Sequence, residues 1–274
     1  MRVKGWTAAA FGALAGAMLV FPRQAAEAAL EGAGAFARAV APSLGPYMVC
    51  MLMLTSRVSA PAWALAGLGW LCGSPGGAKL MQPLDLTGRQ ALRYAAVSGT
   101  MSPLFFVGPL ARWLGDEGAG WLLLLCHWAG AALVALLLPG GGERRKTPPS
   151  PMPLGTALRE TALTLGGVCL CVMLGTAAAR LAACALPGLS PGAAAALQCA
   201  LEITGGARAL IDLHSPFALP LLCAACSFGG LSIWLQNAAV WRESGVAGGK
   251  LLLLRLCHGA LSGGLAWALT RVLY

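Results

Sequence analysis

Charge is scarce in this chain. Of its 274 residues only 11% are Asp, Glu, Lys or Arg, while 58% are hydrophobic. A soluble domain carries about 25% charged residues, so there is too little polar cover for an ordinary soluble protein. Disorder is excluded too, because it needs low hydrophobicity. Aromatics are also few, at 7%. Glycine is abundant, at 37 residues, and apolar segments rich in small residues suit membrane helices that pack closely.

Several chemical signatures are missing. No Walker phosphate-binding sequence occurs, which argues against ATP-driven pumping by this chain alone. No nucleophile elbow occurs, and Ser102, Ser227 and Ser232 lack a recognisable base and orienting acid, so the chain reads as a non-enzyme. The ten cysteines lie nearly all inside apolar runs, where Cys behaves as a small hydrophobe. Cys223-Ala-Ala-Cys226 has redox or metal spacing but no nearby His, so no metal and no cofactor are expected. The net charge of +9 sits at the ends of apolar segments, as the positive-inside rule places it. No basic stripe interleaved with aromatics is present, so nucleic acid is not a partner.

What is present is a series of apolar runs. Residues 6–21 form the first, read as a retained helix rather than a signal peptide cleaved near 26–28. Residues 22–40 resemble an interfacial helix, and 39–55 a span. Residues 61–72 are too short to cross a ~30 Å hydrocarbon core. They meet Gly73-Ser74-Pro75-Gly76-Gly77-Ala78-Lys79, and residues 80–86 return. This reads as a re-entrant hairpin, tolerated at membrane depth only inside protein or beside a wet cavity. Residues 94–114 are a broken helix, interrupted at 98–103, and 121–138 are a clean span. Residues 139–153 form a basic linker read as cytoplasmic. The second half repeats the plan: a span at 161–186, a short arm at 191–203 broken at 204–208, a broken helix at 215–241 interrupted at 227–232, and a last span at 250–273.

The halves match in order. Gly76-Gly77-Ala78-Lys79 corresponds to Gly205-Gly206-Ala207-Arg208, the break at Ser102 to that near Ser227, and Cys126-His127 to Cys257-His258, at offsets of about 125–130 residues. Three crossings per half, an odd number, invert the second half and place Tyr274 opposite the linker. The expected fold is therefore an all-α, polytopic helical membrane protein of two inverted repeats, each containing a re-entrant hairpin and a discontinuous helix. The domains are 1–38 (first helix and interfacial helix), 39–138 (repeat 1), 139–153 (linker) and 154–274 (repeat 2). Inverted repeats with paired broken segments point to a secondary transporter.

The stretches Gly73–Lys79 and Ser102-Pro103-Leu104-Phe105-Phe106-Val107-Gly108 carry a family resemblance, as do Leu201-Glu202-Ile203-Thr204-Gly205 and Ser227-Phe228-Gly229-Gly230-Leu231-Ser232. Together they resemble the motifs of YlbJ-type sporulation integral membrane proteins. These belong to the nucleoside-recognition, or Gate-domain, superfamily, related in fold to concentrative nucleoside transporters. The resemblance covers residues 30–274. It implies a role in endospore formation and passage of dipicolinic acid from mother cell towards forespore across the outer forespore membrane.

The candidate substrate site gathers the four breaks: Gly76, Gly77 and Lys79; Ser98 and Ser102; Glu202, Thr204, Gly205 and Arg208; Ser227, Gly229 and Ser232. Lys79 and Arg208 stand at matched positions and are expected to clamp a small dianion with helix N-termini; the alternative is that they snorkel at the surface. Glu202 is read as pairing with Arg208, or as a coupling-proton site. Asp85 and Asp212 read as cap or surface residues, and His127 and His258 as packed neutral histidines. The expected partners are a small anionic solute and the lipid bilayer, with homo-oligomer formation left open. A nucleoside carrier would instead favour Asn, Gln and Ser over paired cations. A non-transporting membrane scaffold is the third reading.

Overall fold

The computed structural model describes residues 3–86, 88–138, 144–145 and 149–273. The expectation of a cytoplasmic 143–146 linker falls largely outside them, as does the placement of Tyr274. The chain is all-α, with five helical stretches long and apolar enough to cross a membrane, which is compatible with an integral membrane protein.

Helix α1 (Val3–Val20) leads into α2 (Pro22–Thr55). The chain then folds into α3 (Ala62–Cys72), α4 (Gly76–Leu80), α5 (Gly88–Ser98), α6 (residues 103–114) and α7 (Glu117–Leu136). The second half comprises α8 (Leu154–Ala185), α9 (Pro191–Leu201), α10 (Ile203–Asp212), α11 (Ala218–Phe228), α12 (Gly230–Trp241) and α13 (Gly248–Leu273). A two-residue antiparallel ladder pairs Leu84–Asp85 with Arg144–Arg145, tying the linker to the exit of α4.

One expectation is corrected here. Residues 22–40 are not a separate interfacial helix but the first part of α2, 34 residues long, so the expected boundary at 38/39 falls inside a continuous helix. The reason lies in its small-residue face. Ala25, Ala28 and Gly32 are buried where α2 packs on α8. A Cβ on Gly32 would stand 2.9 Å from Met173 Cα, so the two backbones nearly touch. An ion pair, Arg180 to Glu31 at 2.8 Å, closes this contact. A wide π turn at Phe36–Val40 precedes Pro42 and lets α2 continue past the two prolines at 42 and 46. Ser43 Oγ donates to the Val40 carbonyl there. A second π turn, Phe106–Leu110, holds Pro109 within α6.

Close packing by small residues recurs between α11 and α13. Gly259 and Gly263, spaced as Gly-x-x-x-Gly, leave room for Ala224; an added Cβ would lie 2.9 and 2.8 Å from its atoms. The largest core cluster joins the halves: Phe105, Phe106 and Leu123 of the first pack with Ile203, Leu222 and Cys226 of the second. Outside, Leu136, Leu163, Leu170, Leu253 and Val272 are exposed, a surface that suits lipid and not water.

Replacing Gly32 with Leu is expected to overpack the α2–α8 contact and cost about 1–3 kcal/mol. Replacing Gly16, which has nothing within 4 Å, with Leu should leave the melting temperature unchanged. Thermal melts of both purified variants in detergent check the contrast.

Candidate functional site

The four expected breaks exist, each narrower than the sequence pattern indicated. The first is confined to residues 73–75, since Gly76, Gly77 and Lys79 already belong to α4. Gly73 adopts φ 75° and lies so close to the second break that a Cβ would stand 2.5 Å from Ser102 N. Only glycine tolerates both that backbone conformation and that close approach. The N–H of Ser74 donates to the carbonyl of Thr100 at 2.6 Å. Ser74 Oγ accepts from Asn237 Nδ2 of α12 at 2.8 Å.

The second break spans residues 99–102. Its Met101 N–H donates to His127 Nε2 at 3.1 Å. Ser98, expected to face a ligand, ends α5 and donates to the Tyr94 carbonyl at 2.7 Å. The third break is one residue, Glu202, in extended conformation (φ −146°, ψ 119°). Thr204, Gly205 and Arg208 are helical, contrary to the expected interruption at 204–208. Glu202 itself explains this: its carboxylate accepts from Thr204 N at 2.8 Å and Gly205 N at 2.7 Å, capping α10. The fourth break is Gly229-Gly230, with φ 83° and 72°. Ser227 and Ser232 are helical on either side of it. A Cβ on Gly230 would lie 2.8 Å from the Cys199 carbonyl, so the fourth break packs against the third.

Three of the breaks line one cavity, which α12 closes just past the fourth. Ser74 comes from the first, Ser102 from the second, Glu202 and Thr204 from the third and Ser232 from beyond the fourth, joined by Ser43 and Gln236. Its free volume is about 40 Å³, room for a few waters. The buried hydroxyls of Ser102 and Ser232 have no hydrogen-bond partner among the described residues, which leaves them available to a solute. Ser102, Glu202, Thr204 and Ser232 were anticipated from sequence. Ser43 and Ser74 were missed, although each is a lone hydroxyl beside a proline in an otherwise apolar or glycine-rich stretch.

Lys79 and Arg208 do not join that cavity, and they do not face each other. Lys79 lies in a second cavity, of about 410 Å³, with Ser56, Thr156 and Glu160; its Nζ stands 3.4 Å from Glu160. Arg208 lies in a third cavity, of about 400 Å³, with Arg38, Arg112 and Thr176. Its ion-pair partner is Asp212 at 3.3 Å, not Glu202. Gly205 lies in this third cavity. Gly76 and Gly77 serve packing, against Cys72 and against Gly69 with Ser98 respectively.

Two helices order the three cavities identically. Along α2, Glu31–Ala39 faces the arginine cavity, Val40–Leu44 the central one and Leu52–Ser56 the lysine cavity. Along α8 the order reverses: Thr156 and Glu160, then Val168 and Val172, then Thr176. Glu160 to Thr176 spans about 24 Å of helix, close to the thickness of a hydrocarbon core.

Behind the cavity lies a buried polar network that sequence reasoning caught in part. His127 and His258 lie with ring centroids 4.7 Å apart and planes tilted by 39°, and both are fully buried. His127 Nε2 accepts from Met101, so its Nδ1–H donates to Ser227 Oγ at 2.8 Å. His258 Nε2–H donates to the His127 carbonyl at 2.8 Å, leaving Nδ1 to face Arg255 Nη1 at 3.4 Å. Arg255, 1% exposed, donates to the Ala95 carbonyl in the last turn of α5 at 2.7 Å, where the helix dipole favours a cation. This arginine, set in the apolar run 251–257, was visible as an anomaly and was overlooked.

Comparison with protein-family models, with curated proteins and with solved structures gives no match to this chain.

His127→Ala is expected to strand the Met101 N–H and the Ser227 hydroxyl and to cost about 1–3 kcal/mol for each buried group left unpaired. Ser227→Ala removes one partner of the pair and should cost less. Melting temperatures of the two variants test the ranking.

Proposed function

We propose that this chain is a secondary carrier that moves a small polar metabolite across a membrane through the cavity where three of its helix breaks meet the helix that follows the fourth. That convergence is the observation that carries the reading. Backbone is broken at membrane depth only where protein or a wet cavity satisfies it, and paired breaks around one cavity are the architecture of alternating access. Helices α3 and α9, with 11 residues each, reach about 16 Å, which supports two re-entrant hairpins.

The placement of matched residues favours inverted repeats. A pseudo-two-fold axis in the membrane plane sends equivalent residues to opposite faces unless they lie on the axis. Lys79 and Arg208 occupy the two outer cavities, and His127 and His258 touch. The same axis explains why Lys79 and Arg208 cannot clamp one ligand.

In this reading the central hydroxyls and Gln236 hold the solute, and Glu202 carries the coupling proton or cation. Dipicolinate is the first solute to test, with the outer forespore membrane as the site of action, because of the resemblance to YlbJ-type proteins. A nucleoside is the second reading: the cavity presents Ser, Thr and Gln side chains rather than paired cations.

The test is uptake of labelled dipicolinate and of labelled uridine into proteoliposomes, each competed by the other unlabelled solute. The double variant Ser102→Ala/Ser232→Ala should lose about 5- to 30-fold in transport, the scale of one to two neutral hydrogen bonds. It should melt like the parent, since neither hydroxyl is bonded among the described residues. Saturable uptake of neither solute would reject both named substrates, and saturable uptake by the double variant at the parent's rate would reject the cavity as the route.

A further inference from the structure

We propose that Arg38, Arg112 and Arg208 form an oxyanion-receiving site in the arginine cavity, one step outside the central cavity. Its place on a transport path rests on the carrier reading; the binding site itself does not.

Three guanidinium groups reach this cavity from three separate elements: the π turn of α2, the last turn of α6 and the middle of α10. Convergence from three elements is not what snorkelling along one helix produces. Arg208 is held by Asp212, but neither Arg38 nor Arg112 has an ion pair among the described residues. The acids facing the cavity are already engaged. Glu31 binds Arg180, and Glu202 caps Thr204 and Gly205. The lining counts three arginines against two carboxylates, Glu31 and Glu202, an excess of one positive charge that an oxyanion would neutralise.

Two further features suit a solute. The Arg38 guanidinium folds back over Gly34, where an added Cβ would lie 3.1 Å from both of its terminal nitrogens, so a larger residue at 34 would displace it. The Gln198 amide also faces the cavity. Glu202 and Thr204 border both this cavity and the central one. They are the partition between them, whereas the lysine cavity shares no lining residue with the central cavity. The ligand class is a small solute bearing carboxylate or phosphate, recognised by guanidinium groups. A lipid headgroup phosphate offers the same chemistry.

The experiment uses the full chain in nanodiscs and measures binding, not transport. In phosphatidylcholine discs, labelled dipicolinate and labelled inorganic phosphate are titrated; in a second arm, retention of phosphatidylglycerol is measured by native mass spectrometry. Saturable binding of a soluble oxyanion that falls roughly 10- to 100-fold in Arg38→Ala and in Arg112→Ala, returns in part in Arg112→Lys and is unchanged in Lys79→Ala supports a solute site. Arginine-dependent retention of phosphatidylglycerol without soluble binding supports the same site with lipid as its occupant. Equal binding by parent and arginine variants in both arms, or binding in neither, overturns it. Uptake by the parent chain in the proteoliposome assay, with no arginine-dependent oxyanion binding in nanodiscs, rejects this site and leaves the carrier. Oxyanion binding without uptake of any solute rejects the carrier and leaves the site.

Discussion

A helix that stops inside an apolar slab exposes backbone N–H and C=O groups that water cannot reach, and each must find a partner within the protein. This chain meets that demand four times, and its architecture follows from the ways it does so. Ser74 N–H bonds the carbonyl of Thr100, so the first break is completed by the second. Met101 N–H is completed by His127 on α7. Thr204 and Gly205 N–H are completed by the side chain of Glu202. The Gly229 N–H returns to its own helix at Ala225, while Gly230 presses on Cys199 at the end of α9. Because the first two breaks use partners from elsewhere in the fold, they cannot move independently of them.

The polar network behind the cavity extends this logic. Met101, His127, Ser227, His258, Arg255 and Ala95 form one connected set reaching from the second break to the end of α5 and across to α13. A buried arginine is costly without compensation. Here the compensation is a helix C-terminus together with an imidazole nitrogen, and Gly99 leaves room for the guanidinium, since a Cβ there would collide with Arg255. The network anchors one side of the broken helix. On the cavity side the hydroxyls of Ser102 and Ser232 have no partner among the described residues, whereas Ser43 and Ser74 are bonded.

Parts of this were legible in the sequence. Scarce charge and long apolar runs announced membrane helices. Gly-Gly at 229–230 and the short arms before Gly73 and Glu202 announced breaks, because glycine and capping chemistry act over one or two residues. The positions of Lys79 and Arg208 were read as matched, yet their meeting was inferred from convergence of the breaks. A matched position in sequence does not say where a side chain sits in space, and Lys79 and Arg208 line separate cavities. Arg38 and Arg112 gave no signal at all, because each lies in a different helix and looks from sequence like an ordinary boundary residue.

The amino-acid sequence alone determined that the chain is helical, apolar and interrupted at four places, because hydropathy and backbone conformational preference are local properties. Tertiary structure alone decided that α2 runs unbroken through its prolines, that three of the breaks line one narrow cavity, and that Glu202 caps α10 rather than pairing with Arg208. Each of those depends on distances between segments far apart in the chain: the approach of Gly32 to Met173, of Gly73 to Ser102, and of Gly230 to Cys199. Such approaches are set by packing of whole helices, which no local pattern of residues encodes.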